Sequence, residues 1–121
     1  LSETLEVGGT HFPMAGVFPL HLGISKKPQG HGYTSFTVNA ENPYFPRGAA
    51  VRGHEFRYAR ILDAPPELIT AFRMERGAGL ADGRDGIMHK NAMATFCHTH
   101  ALGAGVDWPE NLVKLARERA R

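Results

Sequence analysis

Along the chain, apolar positions recur mostly in twos. Leu20, Leu22 and Ile24 alternate with His21 and Gly23, the signature of a strand with one buried face. Residues 14–18 read as a short strand before it, set off by Pro13 and Pro19. After a turn at Lys26-Lys27-Pro28-Gln29-Gly30, residues 31–40 are rich in β-formers (Tyr33, Thr34, Phe36, Thr37, Val38) and predict another strand. An exposed loop spans Asn42-Pro43 to Gly48. Residues 49–62 form the longest strand candidate and stop before Pro65-Pro66. In it His54, Phe56 and Tyr58 share one face, and Glu55, Arg57 and Ala59 the other. Residues 68–74 are a further strand, 77–86 a hairpin loop, and 87–89 with 92–100 a closing pair.

The two ends read as helix. Leu1 and Leu5, followed by Gly8-Gly9, predict the last turns of an amphipathic helix with a glycine C-terminus. Asp107-Trp108-Pro109-Glu110 is a capping sequence with proline in the first turn, and Trp108, Leu112, Leu115 and Ala116 make one apolar stripe. Lys114, Arg117, Arg119 and Arg121 fall late in that helix, where the dipole favours cations. The expected class is α/β: mostly antiparallel strands with a C-terminal helix, all of residues 1–121 forming part of one domain. Leu1 stands where a start methionine would, inside an amphipathic segment, and points to a fragment.

Composition narrows the classes. A net charge of +2, from 14 Lys+Arg and 12 Asp+Glu, is no nucleic-acid footprint. No apolar run approaches the ~20 residues that span a bilayer, and the N-terminus is no signal peptide. The single cysteine, Cys97, excludes an internal disulfide and fits a reducing, cytoplasmic setting. Fourteen glycines and eight prolines argue against a helical bundle.

Seven histidines (His11, His21, His31, His54, His89, His98 and His100) raise the question of a metal. On a strand His98 and His100 point the same way, and His89 on a neighbouring strand is a possible third ligand. No acidic residue follows within 101–106 to complete such a site; the bland alternative is one functional or buried histidine and one incidental. Cys97 beside His98 looks like a thiol next to its base, but neighbours on a strand face opposite sides, and a lone strand cysteine is more often a small buried hydrophobe. In Arg52-Gly53-His54-Glu55-Phe56-Arg57-Tyr58, Gly53 has no side chain to pack and implies a bulge or the close approach of another backbone or a ligand. His54 and Glu55 either serve a site there or, for Glu55, make a surface ion pair with Arg57 or Arg52. The zinc helix H-E-x-x-H is absent, since Tyr58 stands where its second histidine would be, and there is no Walker A, G-x-G-x-x-G or G-x-S-x-G motif.

Taken together, Gly53-His54-Glu55-Phe56-Arg57-Tyr58 and the later Ala94-Thr95-Phe96-Cys97-His98-Thr99-His100 resemble the G-H-E-F-H-Y-S and A-S-Y-L-H-L-H segments of a family. That family is the C-terminal glutamine amidotransferase domain of cobyrinic acid a,c-diamide synthase and related tetrapyrrole or sirohaem amidases. Pro13-Met14-Ala15-Gly16-Val17-Phe18-Pro19 is similar to its P-M-V-G-V-L-P strand, so the likeness covers most of residues 1–100. Arg57 and Ala59 replace the family's His and Ser, Phe96 its Tyr, and Cys97 and Thr99 two leucines.

The resemblance implies a class I amidotransferase domain in which a cysteine on a strand-to-helix elbow attacks glutamine. His98, the first histidine of H-x-H, would be its base, with His54, Glu55 and His100 in support. The cysteine elbow would lie upstream of Leu1, leaving this chain catalytically incomplete by itself. It implies no cofactor in this chain, with ATP and Mg²⁺ in a separate N-terminal synthetase domain that amidates acetate side chains of a corrin or related tetrapyrrole. Partners would be glutamine, that domain and the acceptor, and a homo-oligomer is one way to cover exposed apolar surface. A stand-alone His-ligated metal enzyme and a non-catalytic docking module remain as alternatives.

Overall fold

The computed structural model describes residues 1–120. Arg121, placed above in the terminal helix, lies outside the described residues.

The N-terminal segment is not a helix end. Thr4–Val7 (β1) and Thr10–Pro13 (β2) form an antiparallel hairpin in which Val7 faces Thr10. Gly8 and Gly9 both have positive φ (59° and 83°), as a two-residue hairpin turn requires. Gly-Gly after an apolar residue serves a helix C-terminus and such a turn equally well. Leu1, Leu5 and Val7 also satisfy period two, and seven residues are too few to separate the patterns. Residues 14–18 form no strand, although Met14, Gly16 and Phe18 donate backbone N–H to the carbonyls of Glu3, Ser2 and Leu1.

His21–Ile24 (β3) lies parallel to β1, with Leu5 opposite Leu22. Gly30–Val38 (β4) pairs antiparallel with Ala50–Arg57 (β5) along eight positions. The expected single strand over 49–62 is in fact two. After Tyr58 the chain leaves β5 and continues as Ala59–Asp63 (β6), which pairs with β3 in the other sheet. The Arg57 guanidinium braces this crossover by donating to the carbonyls of Ala59 and Gly79. Ile69–Arg76 (β7), Arg84–His89 (β8) and Ala92–Ala94 (β9) complete an antiparallel sheet of order β5-β4-β7-β8-β9, beside a smaller sheet of order β2-β1-β3-β6. The closing strand is therefore shorter than the 92–100 expected.

One core cluster packs Phe36, Val38, Val51, Ala71 and Phe72 of the larger sheet beneath Phe45, Cys97 and Ala104. Its centre is aromatic: Phe36 stacks on Phe72 at 4.1 Å between centroids, and Phe45 meets Phe72 edge-on at 5.1 Å. A second cluster, Phe18, Leu20, Leu80 and Ile87, joins the two sheets. The helix Trp108–Arg119 (α1) starts as expected: the Asp107 side chain accepts from the Glu110 N–H, with a proline in the first turn. It docks mainly by that turn, through Trp108 against Phe45 and an Asn111 amide bond to the Tyr44 carbonyl at 2.9 Å. No α1 residue is fully buried, and Leu112 of the expected stripe stays exposed. No described helix is long and apolar enough to cross a membrane.

Candidate active site

The segment after β9 returns to the free edge of β5. His54 and His98 exchange both backbone hydrogen bonds, His54 N–H to the His98 carbonyl at 3.0 Å and the reverse at 2.8 Å. Arg52 adds an N–H bond to the Ala104 carbonyl. Residues 97–104 thus cover an edge that would otherwise present unpaired groups. In an antiparallel pair of this kind both side chains stand on the same face. The imidazoles of His54 and His98 accordingly meet edge to face, centroids 4.9 Å apart and His98 Nδ1 3.3 Å from His54 Nε2.

The approach depends on Gly53. A Cβ there would lie 2.4 Å from the His98 carbonyl oxygen, closer than any side chain tolerates. The other backbone that a strand glycine implied is that of His98.

Tyr33, Arg52, Gly53, His54, His98, His100 and Gly103 line an open groove of about 420 Å³. His98 and His54 are exposed in it. His100 Nδ1 accepts from the Leu102 N–H at 3.2 Å, which in a neutral ring places the proton on Nε2.

Behind this groove the same strand is closed and ionic. Glu55 is 2% exposed and faces away from His54. Its Oε1 accepts from the Gly79 N–H at 2.8 Å and from the Cys97 thiol at 3.4 Å. Its Oε2 lies 3.7 Å from Arg57 Nε, an electrostatic contact too long to be a hydrogen bond. The Arg57 guanidinium sits 4.0 Å above the Phe96 ring. The Glu55 pair therefore exists, with Arg57 rather than Arg52, but in the interior rather than on the surface. Glu55 supports the strand from behind; its carboxylate does not reach the groove.

Cys97 is not a nucleophile beside His98. Its side chain points into the core, where burial pushes its thiol far above the ordinary range; the nearby Asp85 and Glu55 carboxylates add to this, against an opposing Thr34 hydroxyl. A thiol so held stays protonated and inert.

The metal trio is not assembled either. His89 ends β8, three strand spacings from β5, roughly 14 Å away. It lines a different cleft, with Pro19, Glu67 and Met88. Among the described residues the one cluster of three ligand-type side chains is Glu55, Asp85 and Cys97. Asp85 is already engaged there. It accepts from the backbone N–H groups of Gly86, Phe96 and Cys97 and from the Thr95 hydroxyl, at 2.8 to 3.2 Å. Sequence reasoning missed Asp85. It fixes residues 95–97 immediately before His98, and those three partners lie ten to twelve residues on, where no local spacing rule looks.

Comparison with known proteins gives the family. A family model described as a CobB/CobQ-like glutamine amidotransferase domain matches residues 1–106. The chain belongs to that family. Curated relatives named cobyrinate a,c-diamide synthase include one from Magnetococcus marinus, 31% identical over 98% of this chain and 25% of the relative. Others are from Methanosphaera stadtmanae, 36% identical over 73% of the chain and 20% of the relative, and Methanothermobacter thermautotrophicus, 38% identical over the same shares. The chain thus spans a fifth to a quarter of the length of these relatives. Within this amidotransferase domain, His98 and His100 occupy the late H-x-H that the sequence singled out, and the fold sets both in the groove beside His54.

Proposed function

We propose that this chain is the histidine-bearing part of a class I glutaminase unit within an ATP-dependent amidoligase of the cobyrinate a,c-diamide synthase type. The observation that carries the reading is the placement of His98: exposed at the rim of a groove, its Nδ1 facing His54, its Nε2 without a protein partner among the described residues. That is how a general base meets a thiol from another segment. Cys97, the only cysteine of the chain, is buried and protonated, so the sulfur comes from elsewhere, in our reading from an elbow preceding Leu1.

His98 Nε2 takes the proton of that thiol as sulfur attacks the glutamine carboxamide carbon. It returns the proton to the leaving nitrogen as the C–N bond breaks. Water then attacks the thioester while His98 accepts its proton, and His98 returns that proton to the sulfur as the C–S bond breaks and glutamate leaves. The ammonia would pass to a separate synthetase domain, which would use ATP with Mg²⁺ to activate an acetate side chain of a corrin for amidation. The names of the relatives and their greater length support that assignment.

A test is labelling of the full-length protein with a diazo-ketone analogue of glutamine, followed by peptide mass spectrometry. The label is expected on a cysteine outside residues 1–121 and is lost in His98→Ala. Label on Cys97, or labelling unchanged by His98→Ala, contradicts the reading.

A further inference from the structure

We propose that His54 is the positioning residue of His98, a neutral imidazole that accepts from Nδ1–H of His98 and so leaves its Nε2 lone pair free to act as base. This rests on the reading of His98 as that base.

The geometry has three parts. The reciprocal backbone bonds, at 2.8 and 3.0 Å, lock residues 54 and 98 opposite one another. Gly53 lets the two backbones come this close, since a Cβ would lie 2.4 Å from the His98 oxygen. The rings stand at 84° with Nδ1 and Nε2 3.3 Å apart, so an edge nitrogen of one addresses an edge nitrogen of the other.

Two neutral imidazoles share one hydrogen bond only if one donates and the other accepts. If His54 donated, His98 would carry its own proton on Nε2 and could accept nothing there. If His98 donates from Nδ1, its Nε2 is a bare lone pair facing the groove. On taking the thiol proton His98 becomes an imidazolium, and its Nδ1–H keeps the His54 Nε2 acceptor in a stronger, charge-assisted bond. His54 therefore gains and loses no proton in the cycle; its own proton stays on Nδ1. A carboxylate usually orients a catalytic histidine. Glu55, one residue on, is the acid at hand, but it is spent on the other face of β5 on Gly79, Cys97 and Arg57.

The experiment uses the full-length protein with ¹⁵N-labelled histidine. Long-range ¹⁵N–¹H spectra read the His98 tautomer, and glutamine hydrolysis gives kcat and KM. In the parent, His98 is expected protonated on Nδ1 and bare on Nε2. His54→Phe removes the acceptor: His98 shifts toward the Nε2–H form, and kcat falls roughly 10–100-fold, less than removal of a base costs, with KM nearly unchanged. His54→Gln, whose side-chain oxygen can accept, restores both the tautomer and most of kcat. The proposal is overturned if His54→Phe leaves tautomer and kcat as in the parent, or if His54→Gln is as impaired as His54→Phe. His98→Ala separates the two claims. If it stays active, the base assignment itself is wrong; if it is inactive while His54→Phe is fully active, only the role of His54 fails.

Discussion

The two faces of β5 reverse the usual distribution of polarity. The outward face carries His54 and Phe56 and continues to Tyr58, with His31 against Phe56 at 5.4 Å and Tyr58 at 5.7 Å. The inward face carries Glu55 and Arg57, a charged pair in a shell of Cys97, Gly79 and Phe96. Residues 54 and 55 are neighbours with similar claims to chemistry. One stands in an open groove with its ring against that of His98; the other is sealed in, one carboxylate oxygen bonded to Gly79 and Cys97 and the other 3.7 Å from Arg57 Nε. Titratable groups at a strand edge therefore divide by face. What faces the groove is open to a ligand, and what faces the core holds the strand in place.

This contrast predicts a descending series of effects. Glu55→Ala leaves the Arg57 guanidinium buried without its counter-charge and should cost about 3–5 kcal/mol in urea denaturation. Glu55→Gln, which keeps an acceptor for Gly79, should cost visibly less. A near-neutral alanine variant would mean that the inner face is not ionic at all.

Gly53→Ala comes next. Its Cβ forces β5 and the His98 backbone apart, an overpacking expected to cost about 1–3 kcal/mol and to depress glutamine hydrolysis. A variant with normal stability and activity would show that the close approach is dispensable.

The buried thiol supplies a pH signature. Its pKa is raised in the folded state, so folding is favoured below the ordinary thiol value near 9.0 and loses stability as pH rises above it, where the unfolded chain ionises and the native one does not. The slope should approach about 1.4 kcal/mol per pH unit and flatten in Cys97→Ala. Equal slopes in both proteins would place Cys97 in contact with water.

Smallest of all is the stability effect of His98→Ala, expected within about 0.5 kcal/mol because the ring is exposed. A large loss of stability there would erase the distinction between the faces.

The strands at residues 30–38 and 69–76 and the capped terminal helix were legible because each carries its own signal: β-branched and aromatic alternation, or Asp107 with proline and Glu110 behind it. The alternation of residues 54 to 59 was legible too, but not which face turns inward. Phe56 and Tyr58 would ordinarily face the core, and only the pairing with β4 and the returning 97–104 segment decides otherwise. The break at Tyr58 had no local mark, because Ala59 to Asp63 is as good a strand as what precedes it and differs only in its partner, β3. Residues 1–7 were misread for lack of length. At the candidate site, the H-x-H and the need for a close neighbour at Gly53 were visible. That His98 is this neighbour, and His54 its ring partner, depends on residues 44 positions apart.

The most direct measurement is glutamine-dependent ammonia release by the full-length protein, comparing His98→Ala with Cys97→Ala. The account predicts a fall of at least roughly 10²-fold in kcat for His98→Ala, the contribution of a general base, and near-parental turnover for Cys97→Ala. Full activity without the imidazole, or loss of activity on removing the buried thiol, would contradict it.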